Sequence, residues 1–135
     1  MANSVTIQIL QDGPRNTIIK VEGVLDTSDL ASTVIADPAV LQSIDFANKV
    51  KAAKLRLLEC SYSIEDALSV NLFWDATTPV RIGELVGRAE FKSKSYGGFL
   101  NNAGAGVTGK ITMTTEGWIG IKSFWFVMEL IKQQT

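Results

Sequence analysis

The sequence predicts a mainly β protein, an antiparallel β-sandwich, and three observations predict it. Apolar and polar residues alternate with period two in one run after another. Clusters of Gly, Pro, Asn and Asp separate these runs at short intervals. The last run is apolar on both faces, as a strand in the middle of a sandwich is. About seven short strands with regular turns fit one sandwich, in a Greek-key or jelly-roll order. The chain of 135 residues is long enough for a single core, so the domain spans 1–135.

In "SVTIQIL", Val5, Ile7 and Ile9 share one face and Thr6 and Gln8 the other. "QDGPRN" is a turn built on Gly13 and Pro14. "TIIKVEGVL" alternates again, with Ile19, Val21 and Leu25 opposite Lys20 and Glu22, so the two runs form a hairpin. From Asp26 to Phe46 the pattern changes. Thr27 or Ser28 can cap a turn carrying Leu30, Val34 and Ile35, and Pro38 can open a second carrying Val40 and Leu41. One or two short helices are therefore expected around residues 28–45. "ANKVKAAK" is a basic connection.

Strands then resume. "KLRLLECSYSI" sets Leu58, Cys60, Tyr62 and Ile64 on one face, although its start also fits a helix. "ALSVNLFW" groups Leu68, Val70, Leu72 and Trp74 opposite Ser69 and Asn71, and "DATTP" breaks it. "VRIGELVGRAEFKSKS" is one strand or a kinked pair, with Gly83 and Gly87 as bulge positions. A long glycine-rich loop at 96–109 follows. "KITMTTEGWIGI" and "KSFWFVMELIKQQ" close the chain, the latter with Trp125 and Val127 on one face and Phe124, Phe126 and Met128 on the other.

Composition removes several function classes. With 13 basic and 14 acidic residues the chain lacks the basic excess of a general nucleic-acid binder. It has no histidine, which removes the commonest general base and metal ligand together. Its single cysteine, Cys60, permits no internal disulfide and, without histidine, no ordinary zinc site. Cys60 reads as a buried core thiol in a chain that matures in a reducing compartment. No apolar run approaches the roughly 18 residues of a spanning helix, and "MANSVTIQILQDG" does not read as a signal peptide.

The loop "NNAGAGVTGKIT" overlays two nucleotide fingerprints. Gly104, Gly106 and Gly109 make G-x-G-x-x-G, and Gly104 to Lys110 makes G-x-x-x-x-G-K. A phosphate loop needs a buried strand before it, a hydroxyl after the lysine and a helix beginning there. Here "FLNNA" precedes, Ile111 replaces the hydroxyl, and β-branched Ile111, Thr112, Thr114 and Thr115 favour a strand. The expectation is a flexible hairpin tip used as a contact arm, so that deleting Asn101 to Val107 leaves the fold intact.

Other constellations read as structural. Glu65 and Asp66 are adjacent and face opposite ways on a strand. Asp75 and Glu84 form a carboxylate pair only if the fold brings them together. Lys92 and Lys94 share a face that either meets an acidic partner or guards a sheet edge. Trp74, Trp118 and Trp125 fall in or beside apolar strand patterns, so core packing is expected. Trp118, between Gly117 and Gly120, and Tyr96 and Phe99, beside Gly97 and Gly98, are the aromatics expected outside the core. With Asn101 and Asn102 they are the candidate partner contacts. Trp118, Tyr96 and Phe99 also define a carbohydrate-binding alternative.

"VEGVLDTSDL", "VNLFWDATTPVRIGELVGR" and "GWIGIKSFWFVMELIKQQ" resemble small proteins encoded in the structural-gene region of tailed bacteriophages. Among these are β-sandwich and jelly-roll capsid decoration, or cement, proteins. The resemblance implies a non-enzymatic virion protein that is made in the host cytoplasm. It would bind the outer capsid surface as a homo-oligomer, a dimer or trimer, and clamp neighbouring major capsid proteins. It implies no catalytic residue, metal, cofactor, nucleic-acid or membrane partner. A head–tail connector or tail component is the alternative of the same kind.

Overall fold

Nine strands form two antiparallel sheets in the computed structural model, which describes residues 3–45 and 47–133 and, at Tyr96, the backbone alone. They are β1 (Ser4–Asp12), β2 (Asn16–Leu25), β3 (Thr33–Ala36), β4 (Lys54–Ile64), β5 (Ser69–Trp74), β6 (Val80–Val86), β7 (Arg88–Lys92), β8 (Ile111–Glu116) and β9 (Lys122–Gln133). One sheet runs β1-β2-β9-β4-β7 and the other β3-β8-β5-β6. Strand β2 pairs with β9, β3 with β8, β4 with β7 and β5 with β6. That nesting is a long hairpin rolled over on itself, which is the jelly-roll order. Strand β1 is a ninth strand added beside β2.

Alternation produces the layers. Inward residues of β2 (Ile19, Val21, Leu25), β4 (Leu55, Leu57, Cys60, Ile64) and β9 (Phe124, Phe126, Met128, Leu130) meet those of β5 (Val70, Leu72, Trp74) and β8 (Ile111, Met113) in one core. Leu68, just before β5, joins them. Strand β9 lies in the centre of its sheet, which explains its two apolar faces. Only the Phe124 face is buried, however, and Trp125 is 40% exposed on the outer face. A bulge between Leu57 and Glu59 lets Leu57 and Leu58 both be buried.

Two strands beyond the seven read from the sequence are β3 and β7. The Leu30 to Ile35 segment, expected to be helical, is extended, and Val34 pairs with Thr112 of β8. The segment around Pro38 does turn, as one 3-10 turn over Pro38–Val40 capped by the Asp37 side chain. "VRIGELVGRAEF" is a pair split at Gly87, where a positive φ of 72° carries the chain from one sheet to the other.

The jelly-roll order collects alternate connections at opposite ends. At one end lie the β2–β3, β4–β5, β6–β7 and β8–β9 connections. At the other lie the β1–β2 turn, the β3–β4 and β5–β6 connections and the glycine-rich loop before β8.

Candidate interaction surfaces

The glycine-rich loop is bound to the body rather than free. Phe99 exchanges both backbone hydrogen bonds with Leu57, at 2.8 and 3.2 Å, and so extends the sheet beside β4. Further on, Thr77 N–H donates to the Ala105 carbonyl (3.2 Å) and Thr108 N–H to that of Asp75 (3.2 Å). The Thr108 hydroxyl donates to the Asp75 carboxylate at 2.7 Å. Gly109 is buried with φ +83°, and a Cβ there would lie 2.0 Å from the Ala53 carbonyl oxygen. Close backbone approach therefore requires this glycine. Lys110 runs straight into β8, so no helix N-terminus faces the loop and the geometry of a phosphate cradle is not built. The expectation of a flexible arm is corrected: Phe99 and Ala103 pack on the core and hold the loop down.

The candidate contacts named from the sequence are not brought together. Phe99 is half-buried, its ring centroid 5.5 Å from that of Phe91. Asn101 is only 4% exposed and offers a partner no surface, because its side-chain oxygen accepts from Ala103 N–H at 3.1 Å inside the loop. Asn102 is exposed. Tyr96 ends a 3-10 turn, Lys94–Tyr96, and its side chain lies outside the described residues. Trp118 lies at the far end of β8, about 20 Å away at the usual rise per strand residue. The sugar platform of Trp118, Tyr96 and Phe99 is therefore not assembled on one face.

Trp118 is an anchor. Its indole N–H donates to the Leu25 carbonyl at 2.9 Å and its backbone N–H to the Asp29 carboxylate at 3.1 Å. Asp29 also accepts from the Thr115 hydroxyl (3.1 Å), which in turn accepts from Leu30 N–H at 2.7 Å. This network fixes the β8–β9 connection from below, and its apolar residues project above. Ile119 is 76% exposed and Ile121 67%. Val86, the last residue of β6, is also exposed at this end. Asp29, Glu65, Asp66, Glu116 and Arg88 are exposed at this end, and Lys122, directly after Ile121, is partly exposed. The end is thus an apolar tip within a charged rim, suited to a partner with an apolar socket and a polar margin. Ile119 and Ile121 were legible only as part of a strand-like run, and nothing in that run tells which apolar residue is tied down.

On the outer face of the larger sheet, strand register sets Thr6, Glu22, Trp125, Ser63 and Arg88 in one row across five strands. A broad depression of about 690 Å³ includes Glu22, Ser63, Glu65, Asp66, Arg88 and Trp125. Trp125, expected in the core, is the exposed tryptophan, because the second sheet covers only the other face of β9.

Other charged groups are committed locally. Lys94 lies 2.9 Å from Glu129 and 3.3 Å from Glu59, and the hydrogen bonds it donates to Glu129 and then to Glu59 raise its pKa. Strand β7 is an edge carrying Arg88, Glu90 and Lys92, the pattern of a guarded edge. Asp75 follows Trp74, whereas Glu84 pairs opposite Asn71, so they lie roughly 13 Å apart at the usual strand rise, too far for paired glycosidase carboxylates. Among the described residues no three His, Cys, Asp or Glu side chains gather to hold a metal, and no helix is long and apolar enough to cross a membrane. Burial pushes the Cys60 thiol up to about 12. No family model matches the chain, and no curated protein matches it in sequence.

Proposed function

We propose that this chain is a binding protein without an enzymatic role, and more specifically a tailed-phage virion protein that attaches to the outer capsid surface and clamps neighbouring major capsid proteins. The observation that carries the binding role is the exposed tip of Ile119 and Ile121, which follows Trp118 where it is anchored on Asp29 and Leu25. Large apolar side chains displayed beside an anchored residue lose less entropy on docking than those on a free loop, which favours hot-spot contacts. The step from binding to capsid attachment rests on the sequence resemblance, and the jelly-roll order is in keeping with it only as fold-level analogy.

Co-sedimentation with stripped capsid shells of the particle whose genome encodes the chain tests this reading. Saturable binding at high copy number, in fixed ratio to the capsid protein, is expected. Binding confined to a ring or a few copies assigns the chain instead to a connector or tail. No binding to any particle component sinks the virion reading.

A second reading is favoured by Trp125. Its exposed ring lies between Glu22 and Ser63, with Arg88 one strand beyond, in the broad depression of the sheet face, an arrangement that can stack a sugar ring and bond its hydroxyls. Quenching or enhancement of tryptophan fluorescence by oligosaccharides, abolished in Trp125→Ala, supports it. An unchanged spectrum removes it.

A further inference from the structure

We propose that the free edge of β1 is a self-association surface, and that two copies of the chain join there, β1 against β1, about a twofold axis passing beside Ile7. The inference stands whatever the Ile119 tip binds.

Four strands form the outer edges of the two sheets: β1, β7, β3 and β6. Three are blunted. Strand β7 carries Arg88, Glu90 and Lys92, and β6 carries Arg81 and Glu84. Strand β3 has four residues and a register break between Val34 and Ala36. Strand β1 is nine residues long and has no charge, proline or glycine from Ser4 to Gln11. Its bulge lies between Ile9 and Gln11, leaving a regular stretch from Ser4 to Ile9. An unguarded edge of that length is a template for another strand.

The added strand also overhangs the sandwich. Ile7 pairs with Val21 and Ile9 with Ile19, so both point toward the core side. The second sheet stops at β3 and does not cover them. Ile7 stays 42% exposed and Ile9 46%, with Val34 at 42% and Val40 at 70% across the gap. Between them runs a groove of about 190 Å³ that Ile19 and Leu41 also line, apolar except for Asp37, whose side chain caps the Pro38–Val40 turn.

The pattern of the strand identifies the occupant as a second copy. In Val5-Thr6-Ile7-Gln8-Ile9, polarity reads the same in both directions from Ile7. Antiparallel self-pairing centred there sets Ile7 against Ile7, Val5 against Ile9 and Thr6 against Gln8. Every pair is β-branched on β-branched or polar on polar, and no like charges meet. The twofold keeps both inner faces on one side. The Ile7 and Ile9 side chains of two copies then form one apolar strip, flanked at each margin by Val34 and Val40. Strand and groove are satisfied by one isologous contact, as a closed dimer requires.

Sedimentation velocity from about 1 to 100 µM, the range in which a standard-sized interface associates, reads the stoichiometry. The full chain is expected as a dimer. Ile7→Lys, which sets two cations opposite each other, should weaken it by at least about 100-fold with an unchanged far-ultraviolet circular dichroism spectrum. Ile119→Asp should leave the dimer intact, which separates this surface from the tip. Ile7→Cys serves as the second variant. Directly opposed strand residues have Cα atoms about 4.5 to 5.5 Å apart, within the roughly 4.4 to 6.8 Å that a disulfide bridges. Mild oxidation should therefore link two copies covalently, while the buried Cys60 stays unreacted. A monomer throughout, a trimer, a dimer indifferent to Ile7→Lys, or failure of Ile7→Cys to cross-link overturns the proposal.

Discussion

The Lys132 ammonium is buried against the Asp12 carboxylate, and the pair locks three separate segments together. Lys132 Nζ also donates to the carbonyls of Gly13 (2.6 Å) and Gln42 (2.9 Å), and Asp12 accepts from Gln42 N–H at 2.8 Å. The end of β9, the β1–β2 turn and the start of the β3–β4 connection thus share one charge pair. All three ammonium donors are used, which is what makes a buried amine tolerable.

Removing the amine alone leaves the carboxylate without its counter-ion, though still bonded to Gln42 N–H, and leaves two carbonyls without the ammonium at a site with little water. Lys132→Met should destabilise the fold by about 3 kcal/mol, near the lower end for a broken buried pair because Asp12 keeps some solvent contact. Adding Asp12→Asn to it should recover part of that loss. Urea denaturation of the two variants reads both numbers. Equal stability of Lys132→Met and the native chain would show that the pair is not a structural lock.

Cys60 makes alkaline stability predictable. In the unfolded chain its thiol ionises near its ordinary value of 9.0, while burial holds it up to about 12 in the core. The folded state therefore binds the proton more tightly. Its contribution is full below pH 9 and is lost as pH rises toward 12. At pH 10.5 the native chain should have lost about 2 kcal/mol that Cys60→Ala does not lose, at 1.36 kcal/mol per unit. The two alkaline slopes, measured by denaturant unfolding, should differ accordingly. Parallel slopes would mean that the thiol ionises as readily inside as outside.

Much of the fold was legible because its causes are local. Ile19, Val21 and Leu25 alternate with Lys20 and Glu22 over a face that really is buried, and Leu68 to Trp74 do the same. Strand β3 was hidden because Thr33–Ala36 is too short to show a period, and it is held extended by pairing with β8, nearly eighty residues on. The sheet change at Gly87 was hidden because alternation continues through it. The site was less legible than the fold. Whether Trp118 or Ile119 points outward depends on Asp29 and Leu25, which are 89 and 93 residues away from Trp118 in the chain. Trp125 misled for a related reason: a central strand is apolar on both faces even where only one is covered.

The glycines of the long loop should separate by role. Gly109→Ala forces a Cβ against the Ala53 carbonyl at a positive φ and should cost at least about 2 kcal/mol. Gly104→Ala meets nothing within 4 Å and should stay within about 0.5 kcal/mol of the native chain. Deletion of Asn101 to Val107 should destabilise the protein, since it removes Ala103 from the core margin and Ala105 from its bond to Thr77. Thermal unfolding of the three variants checks this. A deletion as stable as the native chain would restore the loop to the status of a free arm.

Trp118 and Ile119 are neighbours with opposite duties, and paired substitutions should expose the difference. Trp118→Ala removes a half-buried ring together with its bond to the Leu25 carbonyl, so it should cost about 3 kcal/mol of stability. Ile119→Asp and Ile121→Asp together touch two residues that are mostly in water, so stability should change by less than about 0.5 kcal/mol. Attachment should respond the other way. The aspartates bring charge into a contact that needs apolar surface, so affinity should fall by roughly 100-fold. Loss of attachment in the folded aspartate variant places the contact at this tip. Full attachment in that variant moves it elsewhere, with the Trp125 face as the next surface to substitute.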